Sequence, residues 1–83
     1  MQFEYKTQGV CASKIVFEIQ EDRVDNIRFI GGCNGNTQGV AKLANGRKVE
    51  EVIALLKGIR CGAKPTSCPD QLARALTQAL ERL

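Results

Sequence analysis

The 83-residue chain has no histidine, no tryptophan and no Cys-x-x-Cys pair. Without histidine there is no Ser–His or Cys–His nucleophile and no imidazole metal ligand. A transition-metal site would have to be built from thiolates, alone or with carboxylates. Aromatic residues are scarce, three Phe and one Tyr, so the core must be mostly aliphatic. No apolar run approaches the roughly 20 residues of a membrane span. The first residues, Met1-Gln2-Phe3-Glu4-Tyr5-Lys6, lack the apolar stretch of a secretory signal. Both absences point to a cytoplasmic protein with reduced thiols and no membrane partner. The chain also lacks a basic run. Its net charge of +3 comes from 12 basic and 9 acidic residues, and only Arg47 and Lys48 are adjacent bases. Nucleic-acid modules carry a basic stripe interleaved with aromatics, so nucleic acid is not an expected partner.

A chain of this length makes one domain, residues 1–83, with a small core. Such domains often rely on a metal or disulfide staple. The first third alternates with period two. Phe3 and Tyr5 share a face. Ile15, Phe17 and Ile19 share one, opposite Lys14, Glu18 and Gln20, and Ile27 and Phe29 share one, opposite Asn26 and Arg28. These read as three half-buried strands, the last two joined by a short turn at Glu21, Asp22 and Arg23.

The remainder has helical periodicity. Asn36 or Thr37 can cap a short helix running to about Ala44, ended by Asn45-Gly46. Val49, Val52, Ile53 and Leu56 stand at i, i+3, i+4 and i+7. Glu50 and Glu51 near the start and Lys57 at the end suit the helix dipole, and Gly58 stops the helix. A third helix starts at Ser67 or Cys68, with Pro69 in its first turn and Asp70 most simply serving the cap. Its apolar stripe is Leu72, Leu76, Ala79, Leu80 and Leu83. The expected fold is α+β: a three-stranded antiparallel sheet followed by three helices packed on one face. Phe17, Ile19, Ile27 and Phe29 should lie beneath Val52, Ile53, Leu56, Leu72 and Leu76.

The chemistry-bearing residues are the four cysteines, Cys11, Cys33, Cys61 and Cys68. All lie in or beside expected loops, whereas a structural free cysteine is usually a small hydrophobe on an apolar face. In a reducing compartment, spaced cysteines point to metal or redox chemistry. A single four-thiolate zinc site uses all four. Helix starts present unpaired N–H groups that favour an anionic ligand. Cys68 stands at such a start, and Cys33 lies in a Gly-rich turn just before another. Arg60 and Lys64 flank Cys61 and can offset part of the charge, and Cys61-Gly62 resembles the turn of a zinc knuckle. The spacing argues less strongly, because structural zinc sites commonly use two close Cys pairs.

Three alternatives stay open: buried cysteines with no further role, a reversible Cys61–Cys68 disulfide relaying electrons, and an iron–sulfur cluster, which ranks below zinc. The turn at 31–36 invites a phosphate, but it lacks the P-loop Lys-Ser/Thr pair and the dinucleotide fingerprint. A turn shaping backbone around a metal-bound Cys33 is the simpler reading. No residue qualifies as catalytic.

The string Thr66-Ser67-Cys68-Pro69-Asp70 resembles the signature of the TSCPD domain family. Gly9-Val10-Cys11, Gly31-Gly32-Cys33-Asn34-Gly35-Asn36 and Arg60-Cys61-Gly62 are similar to further blocks of its small, stand-alone, four-cysteine branch. The resemblance covers nearly the whole chain. It implies metal binding through Cys11, Cys33, Cys61 and Cys68, and kinship with a segment appended to ribonucleotide reductases. A reductase or another protein of nucleotide metabolism is the implied partner; a homo-oligomer is a separate open expectation. Reductase activity is not carried over, since that reaction needs a large barrel, a radical source and nucleotide sites.

Overall fold

The computed structural model describes residues 1–32 and 34–83, with the side chain of Asn34 also left out. The element order is β1 (Gln2–Lys6), β2 (Lys14–Gln20), β3 (Arg23–Ile30), α1 (Asn34–Ala44), α2 (Val49–Leu56) and α3 (Cys68–Arg82). The strands form one antiparallel sheet in the order β1-β2-β3. This is the α+β arrangement that the change of hydrophobic period predicts.

Alternation places Ile15, Phe17 and Ile19 on one face of β2, all buried. Phe3 and Tyr5 stand opposite Phe17 and Ile15, and the Phe3 and Phe17 rings stack with centroids 5.5 Å apart. In the β2–β3 pairing the register shifts between Val16 and Glu18, which face Arg28 and Asp25. Asn26, with φ of 50°, is the extra residue. Its backbone N–H donates to Asp25 Oδ1 and its side-chain amide donates to Glu18 Oε2. A bulge changes parity. It therefore lets Val24, opposite Ile19, share the core face with Ile27 and with Phe29, opposite Ile15.

All three helices add to the same apolar cluster: Ala41 and Ala44 from α1, Val49 and Val52 from α2, and Leu72, Ala75, Leu76 and Ala79 from α3. Phe29, Ile53 and Leu56 are partly buried against it. Leu76 is fully enclosed. Leu76→Ala should cost about 3 kcal/mol, from lost transfer energy plus the cavity left behind, as read by urea denaturation. A neutral result would remove Leu76 from the core.

Two features differ from the sequence expectation, the start of α1 and the apolar stripe of α3. Helix α1 begins at Asn34, two to three residues before the expected cap, and Thr37 lies inside it, buried. Helix α2 ends as expected: its last residue is Leu56, Lys57 is its C-cap, and Gly58, at φ of 84°, stops it. Leu80 and Leu83, assigned to the apolar stripe of α3, are exposed. Beyond Ala79 the helix runs past the apolar cluster it packs on.

Candidate functional site

The signature residues organise the start of α3. Ser67 is the N-cap, with extended backbone. Its hydroxyl accepts from the Asp70 N–H at 3.2 Å and donates to the Ile59 carbonyl at 2.7 Å. Pro69 follows in the first turn, where a missing N–H costs nothing. The carboxylate of Asp70 does not cap its own helix, contrary to the simplest sequence reading. Oδ1 accepts from the Gly58 N–H at 2.6 Å. Oδ2 accepts from the Thr66 hydroxyl at 2.5 Å and meets Arg74 Nε at 3.0 Å. Burial pushes this carboxyl upward in pKa, but the Thr66 and Gly58 hydrogen bonds and Arg74 outweigh it and hold Asp70 below the usual carboxylate value.

Gln71 completes the arrangement. It is buried, its amide donates to Thr66 Oγ1 at 2.9 Å, and its Oε1 accepts from the Gln8 N–H at 3.1 Å. Sequence reasoning missed it. The only available signal was a polar residue beside Leu72 on a helix face that is otherwise apolar. Among the described residues no buried side-chain N or O lacks a partner. Thr66, Ser67, Asp70 and Gln71 thus spend their polar atoms tying α3 to the end of α2 and to the 7–13 loop. Within the signature, the Cys68 thiol remains for chemistry.

The same contacts bring the cysteine-bearing segments together. The 7–13 loop closes on itself through the Thr7 N–H to the Ser13 carbonyl at 3.3 Å and the Thr7 hydroxyl to the Ala12 carbonyl at 2.5 Å. It touches α3 through Gln8, and a Cβ built on Gly9 would lie 3.5 Å from Thr66 Cγ2. The Ser13 N–H and hydroxyl both donate to the Ile30 carbonyl. At Gly32, φ is 83° and a Cβ would lie 2.8 Å from the Ala12 nitrogen and 3.1 Å from the Cys11 carbonyl carbon. The Cys61 N–H donates to the Thr66 carbonyl at 3.2 Å, the Lys64 N–H returns to the Cys61 carbonyl, and Gly62 has φ of 59°.

Cys11 and Cys61 are exposed free thiols, and Cys68, the first residue of α3, is a half-buried one. Cys33, named above as the fourth ligand, lies outside the described residues, as does the shape of the turn around it. Its neighbours are Gly32, pressed on the Cys11 segment, and Asn34, the first residue of α1. Among the described residues no three Cys, Asp or Glu side chains gather closely enough to hold an ion. What converges is backbone: the 7–13 loop touches both the segment ending at Gly32 and the approach to α3, which the Cys61 N–H also meets at Thr66.

Gly32→Ala should therefore cost about 2–3 kcal/mol, since alanine there is both left-handed and pressed into backbone. Gly39→Ala, inside α1 with nothing within 4 Å of its Cβ, should instead stabilise by about 0.5–1 kcal/mol. Chemical denaturation of the two variants checks the pair. Equal effects would mean that the close approach at Gly32 is not what holds the Cys11 segment.

The sequence profile of the TSCPD domain matches residues 3–80. The chain belongs to the TSCPD domain family. Comparison with curated proteins and with solved structures found no match. Among the described residues no helix is long and apolar enough to cross a membrane.

Proposed function

We propose that this chain is a structural-zinc module in which Cys11, Cys33, Cys61 and Cys68 hold one ion. The observation that carries the reading is that the 7–13 loop touches both the segment ending at Gly32 and the family signature, which the Cys61 loop also meets. Four thiolates are a complete tetrahedral set for zinc and leave no position for a reactive water. The ion would act as a cross-link between the 7–13 loop, the turn before α1, the 60–67 loop and α3. Backbone N–H groups at the start of α3 and the turn at Gly62 suit thiolate ligands. An iron–sulfur cluster would use the same four residues and ranks second as a cofactor.

The module has no catalytic residue in this reading and acts by binding another protein. Family kinship supports a ribonucleotide reductase or another protein of nucleotide metabolism as the partner, in a cytoplasmic setting. Pull-down with the intact chain tests this: the partner should be retained without added nucleotide and under non-reducing conditions. Retrieval no different from that of a cysteine-free variant would remove the partner from the proposal.

The second reading is a thiol relay through Cys61 and Cys68. The bend that brings the Cys61 N–H onto Thr66, two residues before Cys68, favours it. Alkylation separates the two. Zinc-held thiols resist labelling until a chelator is added, whereas a reduced redox pair labels at once and shows a defined midpoint potential.

A further inference from the structure

Gln71 stands in the first turn of α3 and is only 2% exposed. Enclosing a long amide is costly unless its donor and its acceptor are both matched, and here the partners fix which end does what. The Gln8 N–H can only donate, so the atom 3.1 Å from it is Oε1. That turns Nε2 towards Thr66 Oγ1 at 2.9 Å, which must accept. The Thr66 proton is then left for Asp70 Oδ2, while Asp70 Oδ1 takes the Gly58 N–H. From Gln8 to Asp70 every donor points towards the one carboxylate. Turning the Gln71 amide over would set donor against donor at Gln8 in a buried place.

The 7–13 loop is fixed at its base by the sheet, through the Thr7 N–H to the Ser13 carbonyl and the Ser13 N–H to the Ile30 carbonyl. Its tip, where Gln8, Gly9 and Cys11 are exposed, is tied to α3 by the Gln8–Gln71 bond, which spans 63 residues of sequence. Among the described residues no other hydrogen bond makes that connection.

We infer that Gln71, held in its orientation by Thr66, is a positioning residue: it docks the Cys11-bearing tip on the start of α3 through protein groups alone. One ligand segment of the proposed site is thereby set in place relative to Cys68 before any ion binds. Without Gln71 the tip has to be ordered as the ion binds, and that entropy weakens binding. The docking stands on the hydrogen bonds; its effect on metal affinity rests on the zinc reading.

Amide exchange of the full chain in chelator, below the Tm of the metal-free protein, tests the docking. The Ser13 N–H is the internal standard, because it bonds to Ile30 and not to α3. In the wild type the Gln8 N–H should be protected, although Gln8 lies on the surface. Gln71→Met keeps the length of the side chain without its amide, and exchange at Gln8 should quicken roughly tenfold or more relative to Ser13. Thr66→Val removes the acceptor that orients Gln71 and touches Gln8 through no hydrogen bond, so it should quicken Gln8 in the same selective way. A general loss of stability would quicken both amides alike. Zinc competition with a chelating dye adds a second arm: Gln71→Met should still bind one ion, with Kd raised roughly tenfold.

A Gln8 amide that exchanges like an unstructured peptide in the metal-free wild type overturns the inference, whether or not either variant folds. So do variants in which Gln8 keeps pace with Ser13, or a Gln71→Met chain that matches a zinc-loaded wild type in Kd. A wild type that takes up no zinc defeats the zinc reading instead, and the amide comparison then decides the docking by itself.

Discussion

Asp70→Ala is expected to destabilise the fold by about 3 kcal/mol and to loosen the start of α3. The carboxylate is only 3% exposed. Its removal leaves the Gly58 N–H and the Thr66 hydroxyl without their acceptor, and an unpaired buried donor costs more than the bond contributed. The ion pair with Arg74 adds little, because Arg74 is half exposed and screened. Arg74→Ala should therefore cost under about 1 kcal/mol.

The same carboxylate gives stability a pH dependence. Its folded pKa lies below the value of 3.8 taken for the free group. Its contribution is thus fully present above the unfolded value and is lost as pH falls through the folded one. Asp70→Asn should flatten the acid limb of a stability profile recorded from neutral pH downward. A profile unchanged by that substitution would mean that the carboxylate is not tied in as the Gly58 and Thr66 contacts indicate.

On the structural-zinc reading proposed above, removal of the metal should have the second large effect. The unfolded chain has no preformed site, so binding free energy appears as folding free energy. With metal about a thousandfold above its Kd, linkage contributes about 4 kcal/mol. For a domain of this size that is a fall in Tm of roughly 15–30 °C on adding a chelator. Serine at any of the four cysteines should lose most of the metal. Cys68→Ser should be the most severe, since Cys68 opens α3, whose approach both the 7–13 loop and the Cys61 loop contact. Cys11→Ser should be tolerated best, because Cys11 is exposed and stands at no helix start. A Tm that does not respond to chelator would contradict a structural role for the ion.

The strands were legible because burial on one face imposes period two: Ile15, Phe17 and Ile19 on β2, and Ile27 and Phe29 on β3. Val24 was not, because the bulge at Asn26 shifts the parity of β3 between it and Ile27, and alternation alone carries no sign of an inserted residue. Leu80 and Leu83 fit the helical stripe, yet a periodic pattern does not say where the underlying apolar cluster ends. Ser67 and Pro69 announced the start of α3 because capping is local. The tasks of Asp70 and Gln71 were hidden because their partners, Gly58 and Gln8, come from other segments of the chain, and no spacing rule connects them. The cysteines were legible as a set, since their number and the absence of histidine bear directly on metal chemistry. Their spatial relation was not, because it depends on close approaches such as Gly32 on the Cys11 segment.

The zinc-to-chain ratio of protein purified under reducing conditions without added metal tests the central claim most directly. One zinc per chain, lost in Cys68→Ser, is the predicted result. A zinc-free chain with four reduced thiols that alkylate at once would contradict it.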